Sequence, residues 1–404
     1  MSVLYITQNG IAEHIGQSQV APYLLGLAAR GFDIHLLSAE KPGQEALKAE
    51  YRARFAAAGI RWTTIAYHNR PPLIGQLRDM AAFFAKALAI ARRERVTLIH
   101  ARSHPPMLVA LALKRWTGAR LLFDFRDFWA DSNLAHGRFK PVFRWFKRRE
   151  RDFVAGSDAV VTLTAHAAEH LAHAYPDPAR PPASKYTVIP CCADFAHFRV
   201  TGSRTAARAE LGIAPDATVL LYLGSIGAVY LVPEMMALFA ELRRLRPGAV
   251  FLLVCNNGHD EVHAAARRAG VPASALRVVT APRARIPFLI GAADLAVAFK
   301  RADLANLGCS PIKIGEFFAS GVPVIANAGV GDLDALLAPD RNGSLVLADF
   351  APATMRAALA RVLGGPIPEA EAIRRNSMDW ALEAGIGRYA TLYEALGERS
   401  GGAE

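Results

Sequence analysis

Residues 309–332 read CSPIKIGEFFASGVPVIANAGVGD, a polar Ser-Pro turn followed by a short helical run and then a β-branched apolar run. This order places chemistry at the start of a helix. A helix beginning near Pro311 and Ile312 offers unpaired backbone N–H groups and a positive dipole end, both suited to a diphosphate. Proline fits a first helical position. Lys313 adds a mobile cation there. Glu316 sits about one turn further on, where its carboxylate can accept two hydrogen bonds from a vicinal diol such as that of a ribose. Gly321 ends the helix, residues 322–325 read as a buried strand, and residues 326–331 form a small-residue loop at the strand edge where open α/β sheets bind ligands. By pattern alone, the segment also fits an ordinary helix–strand unit with a glycine cap.

Other candidates sit where further strands end. Residues 221–227, LYLGSIG, read as a strand and a turn in which Gly224 and Ser225 let the backbone approach a phosphate. Asn256 and Asn257 follow another strand and suit either a nucleotide pocket or a simple Asx turn. Lys300, Arg301 and Lys313 are the cations available to neutralise a phosphate. Near the N-terminus, residues 10–19 read GIAEHIGQSQ. Gly10, Gly16, Gln17 and Ser18 could let a ligand lie close to backbone amides there, or Ser18 could be no more than an N-cap. HARSHPPM at 100–107 and DFRDFWAD at 124–131 follow consecutive strand ends. Arg126 can hold a phosphate or carboxylate by paired hydrogen bonds, Asp127 can take a hydroxyl proton or bind sugar hydroxyls, and His104 is a weaker candidate. An internal Asp124–Arg126 pair is the structural alternative. Neither half carries G-x-G-x-x-G after its first strand, which argues against a nicotinamide or flavin enzyme.

The 309–332 segment resembles the donor-binding signature of retaining family 4 glycosyltransferases, nucleotide-sugar enzymes of the GT-B fold. Ser310, Pro311 and Lys313 are similar to the subgroup with Ser-Pro-x-Lys before the glutamate. Glu316 matches the second of the family's two glutamates, which implies a contact to the donor ribose; the first falls on Gly308, which has no side chain to reach a sugar. The turn at Gly224 resembles the glycine loop of the family's donor domain, with Ala228, Val229, Tyr230, Leu231 and Val232 where an Arg and a Lys are common. Residues 10–19 resemble the acceptor-side glycine loop, and Arg126 and Asp127 stand where better-known members carry an active-site histidine. The resemblance implies that a sugar moves from a nucleotide diphosphate donor to a glycan or lipid-linked acceptor, in cell-surface polysaccharide synthesis. Arg126, Asp127, Lys313 and Glu316 would be catalytic. Gly224, Ser225, Asn256, Lys300, Ser310, Pro311 and Ile312 would join Lys313 and Glu316 around the donor, and Gly10, Gly16, Gln17, Ser18 and His104 would lie on the acceptor side. Retention and metal independence are also expected, with no cofactor beyond the nucleotide-sugar substrate. A nucleotide-sugar epimerase and a noncatalytic nucleotide- or glycan-binding protein are the alternatives.

The elements that must position these residues alternate strand and helix twice. Short apolar strands are expected at 3–7, 33–38, 61–65, 98–101, 120–124 and 159–163. A second set falls at 219–223, 250–255, 276–280, 295–299, 322–326 and 344–346. The pattern is α/β, with two Rossmann-like domains facing a cleft. A first, acceptor-side domain is expected over 1–182 and a donor domain over 183–374. Residues 375–404 supply a helix that the resemblance returns to the first domain. A Pro-rich stretch at 175–184 marks the loop before the junction, and residues 185–190 are expected to cross the hinge.

At 404 residues and 52% hydrophobic, the chain can bury a large core and exceeds one typical domain. No run of 18 uncharged apolar residues or secretory leader is visible, and a cytoplasmic protein is expected. The four cysteines show neither zinc spacing nor a disulfide framework. A formal charge of +11 is concentrated in residues 138–151, RFKPVFRWFKRRER, a basic helix with interleaved aromatics. That segment suits an anionic membrane interface on the inner face of the plasma membrane, and equally a helix with aromatics inward and charges solvated. No recognition motif for nucleic acid accompanies the charge.

Overall fold

The computed structural model describes residues 1–68, 72–137, 139–178, 180–200, 202–365 and 368–398. Arg138 and residues 399–404, which belong to the basic segment and the C-terminal region discussed above, lie outside them. The chain forms two units, Met1–Pro190 with Leu382–Glu404, and Cys191–Ala381.

In the first unit, β1 (Ser2–Thr7), β2 (Asp33–Glu40), β3 (Arg61–Ala66), β4 (Leu98–Arg102), β5 (Arg120–Phe125), β6 (Ala159–Thr162) and β7 (Tyr186–Val188) form one parallel sheet in the order β3-β2-β1-β4-β5-β6-β7. The order reverses between β1 and β4, and the segments that follow the C-terminal ends of these strands carry Gly10, Gly16 and His104. Such a switch point is where open α/β sheets bind ligands. Residues 186–188, read from sequence as part of the crossing, instead pair with β6. The first unit therefore runs to Pro190, past the expected boundary at 182.

The second unit has β8 (Val219–Leu223), β9 (Val250–Val254), β10 (Leu276–Val279), β11 (Leu295–Ala298), β12 (Val324–Asn327) and β13 (Leu345–Leu347), also parallel, in the order β10-β9-β8-β11-β12-β13. All five residues of β8 are buried, because helices cover both faces of the sheet. Leu220 and Tyr222 pack with Met235, Phe239 and Phe251 on one face. Val219, Leu221 and Leu223 pack with Ile314, Phe317 and Phe318 on the other.

Within residues 375–404, expected to supply one helix, the described residues hold two helical pieces. A 3-10 turn, Met378–Trp380, comes first, and the α-helix Leu382–Glu398 follows. Ala381 interrupts them by bridging to Ala193, whose N–H donates to the Trp380 carbonyl at 2.8 Å. Trp380 is buried against Phe318 in the second unit, whereas Tyr389 and Tyr393 are buried in the first, where their helix packs on helix Ala21–Ala28. The basic segment forms helix Lys140–Gly156. Phe146 and Phe153 are buried, while Phe139 and Trp145 are both 45% exposed.

Candidate functional site

In the second unit, β8 leads into Gly224 with φ 124°. A Cβ at this position would lie 2.8 Å from Lys313 Nζ, so glycine permits both the turn and the close approach. Asn257 fastens the turn. Its Oδ1 accepts from the Ile226 N–H at 3.0 Å and its Nδ2 donates to the Ile226 carbonyl at 2.6 Å. Asn256 and Asn257 are both exposed, and it is Asn257, through its bonds to Ile226, that shapes the loop. Ser225 contributes its carbonyl, which accepts from the Tyr222 hydroxyl at 2.6 Å. The chain then bridges antiparallel to Lys300 at Tyr230. Asn327, at the end of β12, accepts the Lys300 N–H at 2.8 Å and donates to its carbonyl at 2.9 Å.

Helix Ile312–Ala319 begins after Pro311, and its first turn supplies the backbone N–H groups expected from sequence. Ser310 Oγ accepts the Cys191 N–H at 3.2 Å, which ties the loop to the start of the unit. Lys313 is 8% exposed. Its Nζ lies 4.4 Å and 4.5 Å from the ring centroids of Tyr222 and Tyr230, with no hydrogen-bond partner among the described residues. Burial, then the charge of Lys300, lower its pKa from 10.5 to about 7, against the opposing pull of Glu316 and Cys309. Lys300 Nζ lies 3.0 Å from Cys309 Sγ. Glu316 is buried, with Arg283 Nη1 3.3 Å from its Oε1. Arg283, which no sequence signal singled out, also lies over the Phe198 ring at 5.2 Å. The second unit thus gathers a glycine turn, Lys313 and Glu316 around one helix start.

The first unit gathers a different set. Residues 16–20 form one π-helical turn before the α-helix. A Cβ on Gly16 would collide with the Gly10 carbonyl and the Ile11 backbone, so the loop folds back on itself only with glycine there. Buried Glu40 holds the loop from β2, its Oε1 accepting the Ile11 N–H at 2.8 Å. Gln17 Nε2 donates to the Ala12 carbonyl at 2.8 Å, and Ser18 Oγ donates to the His14 carbonyl at 2.7 Å. Both side chains therefore brace the turn. Ser103, between Arg102 and His104, has φ 69°, a conformation that costs energy for a non-glycine residue and recurs at functional sites.

Arg102 and Arg126 are buried and both donate to Gln19 Oε1, at 2.9 Å and 3.3 Å. Arg126 also pairs with Asp124 at 3.3 Å, the internal contact weighed from sequence. Burial alone would raise the Asp124 pKa, but Arg126, His100 and Arg102 together hold it well below the usual carboxylate range. Burial lowers the pKa of His100, whose Nδ1 lies 2.6 Å from the Tyr393 hydroxyl. Asp127 is exposed. His104 corrects the sequence reading: it is fully buried in the first turn of helix His104–Thr117, with Nε2 2.8 Å from Glu150 Oε2 and its ring stacked on Trp129. It belongs to the packing of this unit, because Glu150 and the surrounding aromatics enclose it.

The two parallel α/β units define a GT-B fold. A sucrose-phosphate synthase from Thermosynechococcus elongatus superimposes with a TM-score of 0.72 at 16% identity, over 98% of this chain and 99% of that one. Anabaena HepE in complex with UDP and glucose does so with a TM-score of 0.69 at 16% identity, over 97% and 99%. Residues 20–197 match the model of Glycosyltransferase Family 4. A D-inositol 3-phosphate glycosyltransferase of Segniliparus rotundus is 32% identical over 223 residues, 54% of this chain and 47% of the relative. The chain spans about half the length of the first curated relatives it matches. The fold of the chain is therefore GT-B, and residues 20–197 are similar to Glycosyltransferase Family 4.

Proposed function

We propose that this chain is a retaining glycosyltransferase that moves a sugar from a nucleotide diphosphate donor to a glycan or lipid-linked acceptor. The observation that carries the reading is the Lys313 ammonium, buried without a hydrogen-bond partner beside a glycine turn and a helix start. A cation so placed is completed by an anion. The diphosphate lies against the first-turn N–H groups and Lys313, with Lys300 adding charge, and Glu316 accepts the ribose hydroxyls while Arg283 orients its carboxylate. As the bond from the anomeric carbon to phosphate breaks, these groups stabilise the charge that grows on the leaving diphosphate. The cations do the work a metal does in other transferases, so transfer proceeds in the presence of a chelator.

On the acceptor side, Arg102 and Arg126 bury two guanidiniums beside the buried carboxylate of Asp124. Guanidiniums in this setting suit an acceptor bearing a phosphate. Inositol 3-phosphate, for which the curated relatives are named, carries such a phosphate. Asp127 is an exposed carboxylate of a type that can take an acceptor hydroxyl's proton.

The membrane face is narrower than the sequence suggested. Lys147 is turned to Asp131 and Glu150 at 2.7 Å and 2.8 Å, whereas Lys140, Arg144, Arg148 and Arg151 are exposed with Phe139 and Trp145. This stripe supports peripheral binding to anionic lipid during polysaccharide synthesis. Among the described residues, no helix is long and apolar enough to cross a membrane.

A thermal-shift panel of nucleoside diphosphates and their sugars tests the donor reading. A true donor present at 100 times its Kd adds about 2.7 kcal/mol of stability, and sugar should then pass to a phosphorylated acceptor with EDTA present. A panel in which no nucleotide raises Tm overturns the proposal.

A further inference from the structure

Residues 228–232, which follow the Gly224 turn, hold no Lys or Arg, yet the structure places an aromatic ring from this stretch on a lysine of another element. Tyr230 and Tyr222 both lie within cation–π range of the Lys313 Nζ. Tyr230 is fixed from behind by its backbone bridge to Lys300 and by the Leu231 N–H donating to the Phe299 carbonyl at 3.3 Å. Tyr222 is fixed by its hydroxyl bond to Ser225. Burial raises both phenol pKa values, so the groups facing the ammonium are neutral rings and not phenolates. The charged and titratable groups around Lys313 are Lys300, Glu316 and Cys309. Lys300 itself stands 5.8 Å from the Tyr230 ring centroid.

We infer that Tyr230, together with Tyr222, is a positioning residue for the donor: the two rings clamp the Lys313 ammonium against the Gly224 turn so that it meets the diphosphate. This rests on the donor reading above. An ammonium deprived of acceptors is held there by ring quadrupoles against burial and the charge of Lys300. An arriving diphosphate supplies the missing acceptors and raises the proton affinity of Lys313. Binding therefore takes up protons in the range where the free lysine is partly neutral. Because the free group titrates at about 7, affinity is full below that pH and falls as pH rises above it.

Calorimetry with uridine diphosphate decides the matter, run from about pH 6 to about pH 9 in two buffers of different ionisation heat. Wild type and Tyr230→Phe, which keeps the ring, should take up a fraction of a proton near pH 8. Tyr230→Leu keeps an apolar wall without a quadrupole. It should bind uridine diphosphate about tenfold more weakly, with the affinity loss displaced by about half a pH unit to lower pH and uridine binding unchanged. A Tyr230→Leu protein with the wild-type profile overturns the clamp. So does zero proton uptake by wild type across the range, whatever the variants do. Lys313→Met separates the two ideas: wild-type affinity for uridine diphosphate in that protein removes the donor reading itself, whereas its loss beside an unaffected Tyr230→Leu removes the clamp alone.

Discussion

Glu316 and Lys313 lie three positions apart on one helix, yet they have opposite surroundings. Glu316 is buried with Arg283 3.3 Å away, whereas the Lys313 Nζ has rings and no acceptor. The carboxylate is thus held ready as an acceptor for hydroxyl hydrogens, and its replacement by an amide halves that capacity. Glu316→Gln should weaken binding of uridine diphosphate by about 1–3 kcal/mol, measured by calorimetry, with Tm little changed. The loss should shrink when the 2′-deoxy nucleotide is the probe, since one of the two hydroxyls is then gone. Equal losses for both nucleotides would move the carboxylate away from the ribose.

At the scale of elements, helix Lys140–Gly156 is joined to helix His104–Thr117 by a buried knot. Glu150, itself fully buried, lies 2.8 Å from His104 Nε2, 2.8 Å from Lys147 Nζ and 2.9 Å from the Tyr175 hydroxyl. Burial would raise the Glu150 pKa, but His104 and Lys147 outweigh it and bring the value down from 4.5 to about 2. A carboxyl depressed on folding stabilises the protein above its unfolded pKa, and that contribution is lost as pH falls through the folded value. Stability should therefore decline between about pH 4.5 and about pH 2. Glu150→Gln leaves the partners' buried polar groups uncompensated and should cost about 3–5 kcal/mol at neutral pH. Chemical denaturation at neutral and acid pH checks this: the gap between variant and wild type must narrow as the wild-type carboxyl protonates, and a constant gap would contradict the assignment.

For the whole molecule, the uneven charge matters more than its total. The net +11 includes ion-paired residues such as Lys147 and Arg120, and these cannot serve a membrane. Arg144 and Arg148 remain exposed, with Trp145 between them. Each basic residue near an anionic surface contributes about 1 kcal/mol, so Arg144→Ser with Arg148→Ser should lower sedimentation with phosphatidylglycerol vesicles at low salt by roughly tenfold or more. Salt should do the same to wild type by screening. Lys147→Ser should instead lower Tm. Unchanged sedimentation of the double variant would end the membrane assignment and leave the donor reading standing.

The strand–helix alternation and the small-residue turns of this chain follow from local pattern: five consecutive apolar residues in β8 demand a sheet covered on both faces, and Pro311 with Gly321 brackets a helix start and stop. The grouping of Ser310, Lys313 and Glu316 at one helix start was legible for the same reason, since their spacing acts within a few residues of the chain. What tertiary structure alone decided are the partners brought together from distant positions. His104 meets Glu150 across 46 residues, Arg283 meets Glu316 across 33, and His100 meets Tyr393 across 293. No periodicity encodes such meetings. A lone histidine on a loop-like sequence reads as exposed until the helix that buries it is in place, and a lysine in a basic run reads as membrane-facing until a carboxylate from another turn claims it. Two tyrosines become a clamp only when a backbone bridge carries one of them to the lysine.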